Sequence, residues 1–242
     1  HLKVFSELFG VDDPGSSISA ILQLGSVLAI LFYFRNDIFI FLNRKQKNNK
    51  RKLNNLRLIK SITIGTIFFL LLGGIAKVFI PNFSESFLRT NLSIATISIL
   101  MSFLMLVADK AREKEINLIN HNLLDSCKIG LGQALAIIPG VSRSGITISI
   151  ALLLGWEKKD ATKFSFLLGL PAISLAAFVE LFDLIYNDIY FPLGPLFIGL
   201  LTTFLISLLS INFLIKFIPL NGLKIFAYYR IIFGTIILIS YF

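Results

Sequence analysis

The chain has 242 residues, of which 55% are hydrophobic and 15% charged, and its formal net charge is +9. A soluble domain carries about 25% charged residues, and here the apolar residues fall in runs long enough to cross a bilayer, about 20 residues each. Both observations argue against a soluble globular fold. The cations gather in loops between the apolar runs, so the positive charge reads as membrane topology and not as a nucleic-acid surface. The only cysteine, Cys127, has no partner for an intrachain disulfide and reads as a small packing residue.

The chain opens on His1 and not on Met, so a longer protein or a processed end is expected. Residues 2–10 are short and partly apolar. Asp12, Asp13, Pro14 and Gly15 form a turn, and Ser16, Ser17 and Ser19 offer helix N-caps. A first span is expected from Ile18 to Leu42. The segment from Asn43 to Lys60 is dense in cations (Arg44, Lys45, Lys47, Lys50, Arg51, Lys52, Arg57, Lys60) and reads as a cytoplasmic loop. A second span runs from Leu58 to Ile80, the chain turns at Pro81-Asn82, and a third span from Leu88 to Val107 returns it to the side marked by Asp109, Lys110, Arg112, Glu113, Lys114 and Glu115.

The next segment is of another kind. Ile129 to Ile138 is apolar but too short to cross, and it breaks at Pro139-Gly140-Val141-Ser142-Arg143-Ser144-Gly145. A second short apolar piece, Ile146 to Leu154, follows before Lys158, Lys159 and Lys163. Cations on both flanks place both ends on one side, so the two pieces predict a re-entrant hairpin with a polar tip. Broken backbone at membrane depth must face protein or water. Three further spans are expected at Phe164 to Tyr186, Leu193 to Phe217 and Leu223 to Tyr241, with Lys216 and Lys224 on the cytoplasmic side and the C-terminus outside. The expected fold is all-α and polytopic, with about six transmembrane helices and re-entrant helical hairpins.

The two halves share a layout. Gly10 and Gly25 (in Leu24-Gly25-Ser26) follow His1 at nearly the intervals by which Gly155 and Gly169 (in Leu168-Gly169-Leu170) follow Gly145. One integral membrane domain over residues 1–242 is therefore expected, with a first repeat over 1–107 and a second over 108–242. Such repeats often have inverted topology and meet near the midplane. The comparison makes residues 2–10 the second arm of a hairpin whose first arm precedes His1, with His1 at its tip and facing Ser142-Arg143-Ser144.

Arg143 is the most informative residue. A guanidinium at membrane depth is expensive and functional by default. It stands in a glycine-rich break at the start of a half-helix, where N–H groups and the positive helix end favour an anion. Its fork matches phosphate oxygens, Gly140 and Gly145 let the backbone approach a ligand, and Thr147 could add a hydroxyl. Arg230 lies deep in the last span. Either it is a structural cation paired to a carbonyl or to Asp183, or it helps neutralise a phosphate. Gln23 reads as packing glue or cavity lining, Glu180 and Asp183 as interfacial, and His121 as solvated.

The run from Pro139 to Thr147 (Pro-Gly-Val-Ser-Arg-Ser-Gly-Ile-Thr) resembles the signature of the undecaprenyl-diphosphate phosphatases of the bacitracin-resistance type. The likeness extends to Leu22-Gln23-Leu24-Gly25-Ser26, Phe164-Ser165-Phe166-Leu167-Leu168 and Tyr229-Arg230, over essentially the whole chain. That family has a second motif near its N-terminus, with two glutamates, a proline, two serines and a final histidine, and His1 stands at the place of that histidine. The resemblance implies hydrolysis of undecaprenyl diphosphate to the monophosphate and inorganic phosphate, which recycles the lipid carrier of cell-wall synthesis. It implies His1, Ser142 and Arg143 as catalytic residues and Gly140, Ser144, Thr147 and Arg230 as substrate-binding residues. It also implies a divalent cation (Mg2+ or Ca2+) whose ligands the chain leaves unknown. The expected partners are a polyprenyl diphosphate and membrane lipids, without nucleic acid, and a homodimer is compatible with this reading. The expected location is the bacterial inner membrane, with the site opening to the outer face.

Two rivals are weighed against this reading. A phosphatidic-acid-type phosphatase places a histidine six residues after the arginine of a Ser-Arg pair, and here that position is Ser149. A polyprenyl-phosphate transporter or flippase shares the layout of repeats and broken helices, but would bind the lipid phosphate without releasing it.

Overall fold

A computed structural model of the chain describes Gly10 and residues 15–42, 49–79, 87–186 and 193–240. These form nine α-helices and one 3-10 turn, Phe87–Arg89. Helix α1 runs over Gly15–Tyr33, α2 over Arg35–Leu42, α3 over Asn49–Phe79, α4 over Asn91–Asp109, α5 over Leu123–Leu135, α6 over Arg143–Leu154, α7 over Lys158–Tyr186, α8 over Leu193–Asn221 and α9 over Lys224–Ile239. The protein is thus an all-α polytopic membrane protein, as its apolar runs predict.

Several boundaries differ from the expected ones, each for a physical reason. Among the described residues, four helices (α3, α4, α7 and α8) are long and apolar enough to cross a membrane. α1 and α2 make a fifth span if their 71° bend is one broken crossing. The bend falls at Phe34. There the Arg35 side chain folds back, its Nη1 donating to the Phe32 carbonyl at 2.8 Å and its guanidinium lying 4.6 Å from the Phe32 ring centre. The expected sixth span is α9. Its 16 residues reach about 24 Å, short of the ~30 Å hydrocarbon core. α3 begins at Asn49, inside the basic segment read as loop, because Lys and Arg are good helix formers and carry the helix beyond its apolar stretch. The half-helix expected over residues 2–10, with His1 at its tip, and the turn at Pro81-Asn82 lie outside the described residues.

The chain divides into two compact units, residues 1–38 with 170–213 and residues 39–169 with 214–242. In the first, α1 approaches α8 closely. A side chain at Gly25 would meet the Leu200 carbonyl oxygen at 2.5 Å, and Ser26 and Ser207 share a hydrogen bond of 2.8 Å. Such small residues permit backbone contact where no hydrophobic force draws helices together. Gln23 on α1 is exposed.

The second unit holds the hairpin. α3 and α5 meet at glycines, where a Cβ on Gly130 would lie 2.4 Å from the Gly65 Cα. α4 and α9 meet at Gly234, against the Ala95 carbonyl. The α6 end of the α5–α6 hairpin is tied to the segment after α4: Lys114 N–H donates to the Gly155 carbonyl at 2.8 Å, and Glu157 N–H to the Ile116 carbonyl at 2.9 Å. α5 and α6 have 13 and 12 residues, too few to cross at 1.5 Å rise per residue, so the chain enters and leaves at one end. Asp109, at the end of α4, ties that helix to the start of α9 within this unit. Its Oδ1 accepts from Leu223 N–H at 2.8 Å, and Lys158 and Lys224 stand 3.8 and 3.9 Å away.

His121 corrects the expectation of a solvated histidine, being only 2% exposed. The Leu118 carbonyl, 3.1 Å from Nδ1, can only accept, so Nδ1 carries the proton and Nε2 accepts from the Ser61 hydroxyl at 2.7 Å. Trp156 and Phe164 close around the ring. Burial holds the imidazole below its ordinary range, so the folded state prefers it neutral. The stabilisation is full above the unfolded value of about 6.5 and is lost as pH falls below it toward the folded value. Thermal unfolding in detergent should show a midpoint that drops as pH is lowered below 6.5, and His121→Ala should flatten that dependence while lowering stability by about 1–3 kcal/mol at neutral pH. An unchanged pH dependence in the variant would reject this role.

Candidate functional site

The hairpin tip is built by a controlled loss of helix. After Leu135 the backbone makes i→i−3 bonds, Ala136 to Gln133, Ile137 to Ala134 and Ile138 to Leu135, and Pro139 ends the run. Gly140 takes φ +94° and lies so close to α4 that a Cβ would meet the Ile94 carbonyl oxygen at 2.8 Å, so glycine is required twice over. Below the tip Val141, Ile146 and Met101 form a buried apolar cluster. Ser142, with φ 65° and ψ 103°, caps α6, its Oγ accepting from Gly145 N–H at 3.3 Å. The expected break ran through Gly145. The helix instead starts at Arg143, because the Ser142 cap satisfies one of its first N–H groups.

Arg143 is therefore the first helical residue. Ile146 N–H bonds to the Ser142 carbonyl and Gly145 N–H to the Ser142 hydroxyl. The N–H groups of Arg143 and Ser144 have no intrahelical acceptor, as in every helix start. The guanidinium lies against α7, and its Nη1 is buried without a hydrogen-bond partner. Arg230, on α9, donates through Nη2 to the Gly140 carbonyl, an acceptor the broken backbone leaves available. Its Nε is buried and unpartnered. Among the described residues neither guanidinium is paired with a carboxylate. Arg230 thus bonds the tip at Gly140 and Arg143 begins the helix that leaves it, neither with a carboxylate partner among the described residues, an arrangement suited to an anion.

The hydroxyls divide by role. Thr147 is 1% exposed. Its Oγ1 lies 2.9 Å from the Arg143 carbonyl, to which it donates, and 2.6 Å from Ser165 Oγ on α7, from which it then accepts. Its one proton is committed inside the protein, so it ties α6 to α7. Ser142 accepts at the cap and keeps its own proton to donate, and Ser144 is half-buried beside it. Gly140, Ser142, Arg143, Ser144, Thr147 and Arg230 are all brought to one hairpin tip. His1 lies outside the described residues. The structure adds Ser165 and Gly169, one helical turn apart on α7 and both facing α6. The sequence signal for them was the i, i+4 spacing of small residues.

No group of three or more His, Cys, Asp or Glu able to hold a metal occurs among the described residues. The tip is cationic and supplies hydroxyls and N–H donors but no carboxylate, so its described residues do not fit a divalent cation.

The fold and the hairpin define a polytopic membrane protein in which a short helical hairpin carries a buried arginine without a carboxylate partner among the described residues. The family model of the bacitracin resistance protein BacA matches residues 1–236, and the chain belongs to that family. An undecaprenyl-diphosphatase of Prochlorococcus marinus strain MIT 9301 is 59% identical over 99% of this chain and 90% of its own length. One from strain MIT 9515 is 58% identical over the same shares. A more distant undecaprenyl-diphosphatase, from strain NATL1A of the same species, is 42% identical over 98% of this chain and 87% of its own length.

Replacing Thr147 by valine keeps its shape but strands the Ser165 hydroxyl, which should lower stability by about 1–3 kcal/mol, whereas Thr147→Ser should stay close to wild type. Thermal unfolding of the two variants checks this, and equal midpoints would show that the Thr147–Ser165 bond contributes nothing.

Proposed function

We infer that the chain is a membrane phosphatase that hydrolyses undecaprenyl diphosphate to undecaprenyl phosphate and inorganic phosphate. The observation that carries this reading is Arg143, a buried, unpaired guanidinium on the first residue of a capped half-helix. The undecaprenyl-diphosphatase names of relatives at 58–59% identity favour hydrolysis over transport.

In this reading the diphosphate enters the tip and Arg143 grips its oxygens in place of the missing counter-ion. Attack on the terminal phosphorus by water, or by a protein nucleophile that water later displaces, breaks the bridging P–O bond and shifts negative charge onto the leaving phosphate. Positioned donors that meet this charge dominate catalysis of phosphoryl transfer. Arg143 supplies the main cation, with Ser142 and Ser144 donating from the same turn. Arg230 holds the Gly140 carbonyl and leaves its remaining charge close to the site. His1, as the resemblance implies, is the nucleophile or acid–base partner. The polyprenyl tail lies along the apolar faces of the spans, in the bacterial inner membrane, with the head group reached from the outer face. The product serves the carrier cycle of cell-wall synthesis.

The test is phosphate release from undecaprenyl diphosphate in detergent by the protein at its full natural length. Arg143→Ala should lower kcat/KM by at least about 10³, the scale of losing a charge-neutralising arginine, with the protein still folded. Binding of the lipid without phosphate release in the unmutated protein would turn the reading to a carrier. Undiminished release by Arg143→Ala would remove this site from the reaction.

A further inference from the structure

We propose that Gly169 is a positioning residue for the reaction: its missing side chain is the seat that fixes the Arg143 guanidinium. The proposal rests on the reading of Arg143 as the phosphate-binding group. A Cβ at Gly169 would lie 1.6 Å from Nη1, 2.4 Å from Cζ and 2.9 Å from Nη2 of Arg143. These are the three nearest atoms, and all belong to one guanidinium. Carbon atoms in contact sit about 3.5–4.0 Å apart. A methyl group there therefore displaces the guanidinium by roughly 2 Å.

The clash has a particular character. Gly155 and Gly222 of this unit face the Lys114 and Asp109 side chains, but at positive φ, where the backbone itself calls for glycine, and three further tightly placed glycines face backbone. Gly130 abuts the Gly65 backbone, Gly140 the Ile94 carbonyl, and Gly234 the Ala95 carbonyl. A side chain at any of these must push a helix. At Gly169 it pushes only the end of a flexible side chain, which can swing away while the helices stay in place. The consequence falls on where the charge sits and not on whether the protein folds.

The same face of α7 fixes Arg143 at both ends. Ser165 bonds to Thr147, which donates to the Arg143 carbonyl, so the backbone end is set one turn before Gly169. Gly169 then leaves room for the guanidinium against the helix, where its Nη1 is buried. Without the seat, an arginine has four side-chain torsions with which to leave. With it, the fork stays at the tip, where a 1 Å error in a reacting group costs about 10²-fold in rate.

The experiment compares unmutated protein, Gly169→Ala, Arg143→Ala, Arg143→Lys and the two double variants by phosphate release and thermal unfolding in detergent. Gly169→Ala should lower kcat/KM by about 100-fold with little change in unfolding midpoint, while Gly130→Ala, a packing control, should lower the midpoint. In the Arg143→Lys background, which lacks the branch that clashes, Gly169→Ala should cost much less. In the Arg143→Ala background it should raise the midpoint, because alanine favours a helix over glycine. Near-normal kcat/KM in Gly169→Ala overturns the proposal, as does an equal loss in the Arg143→Lys background. If Gly169→Ala alone fails to fold, regained folding on adding Arg143→Ala supports the proposal and continued failure overturns it. Full phosphate release by Arg143→Ala would instead overturn the reading of the site itself, a separable result.

Discussion

A positive charge buried without a partner is the constraint on which the hairpin unit is organised. The same unit contains a buried anion, and the contrast is instructive. Asp109 is surrounded by two lysines and a backbone N–H, so its desolvation is offset by the chain itself. Arg143 receives no carboxylate from the described residues, and its Nη1 has no acceptor. Leaving a buried ionised group uncompensated costs several kcal/mol. A folded chain that satisfies its aspartate and leaves its arginine open is what the proposed diphosphate site requires, an anion from outside completing the charge balance.

The surrounding structure holds that open charge in place. A hairpin that breaks in mid-membrane exposes carbonyl and N–H groups that water cannot reach. Ser142 accounts for one N–H at the start of α6 and Arg230 for the Gly140 carbonyl. The fixed ends are set by rigid contacts: Gly140 against α4 at the tip, and the Lys114–Gly155 and Ile116–Glu157 bonds at the base. Sites carried on packed helices with supporting hydrogen bonds keep their geometry better than sites on loops. Here the loop itself is tied to three helices.

The sequence made the hairpin legible because its signals are local: two arms too short to cross, a Pro-Gly break, and an arginine among serines. The all-α membrane class was equally plain from the apolar runs. His121 was misread because its partners are distant in the chain. Ser61, Trp156 and Phe164 come from three other segments, and a histidine beside charged neighbours looks solvated until they assemble. The start of α3 and the bend at Phe34 were missed for the opposite reason. Helices continue past the apolar layer when their residues favour helix, and an apolar run does not reveal that a side chain such as Arg35 folds back on the preceding turn.

Glycine shows most clearly where reading a sequence stops. Gly25 and Gly169 occupy matching places in two similar runs, yet the atoms standing where a side chain would go differ in kind. At Gly25 they belong to the α8 backbone and a threonine, so its smallness serves helix packing. At Gly169 they belong to Arg143 alone. Periodicity marks both positions as small, but only the neighbour decides whether smallness serves the fold or the charge. A buried arginine needs space as well as partners, and in a membrane, where association of helices favours small residues throughout, the glycine that makes that space is hidden among glycines that merely let helices touch.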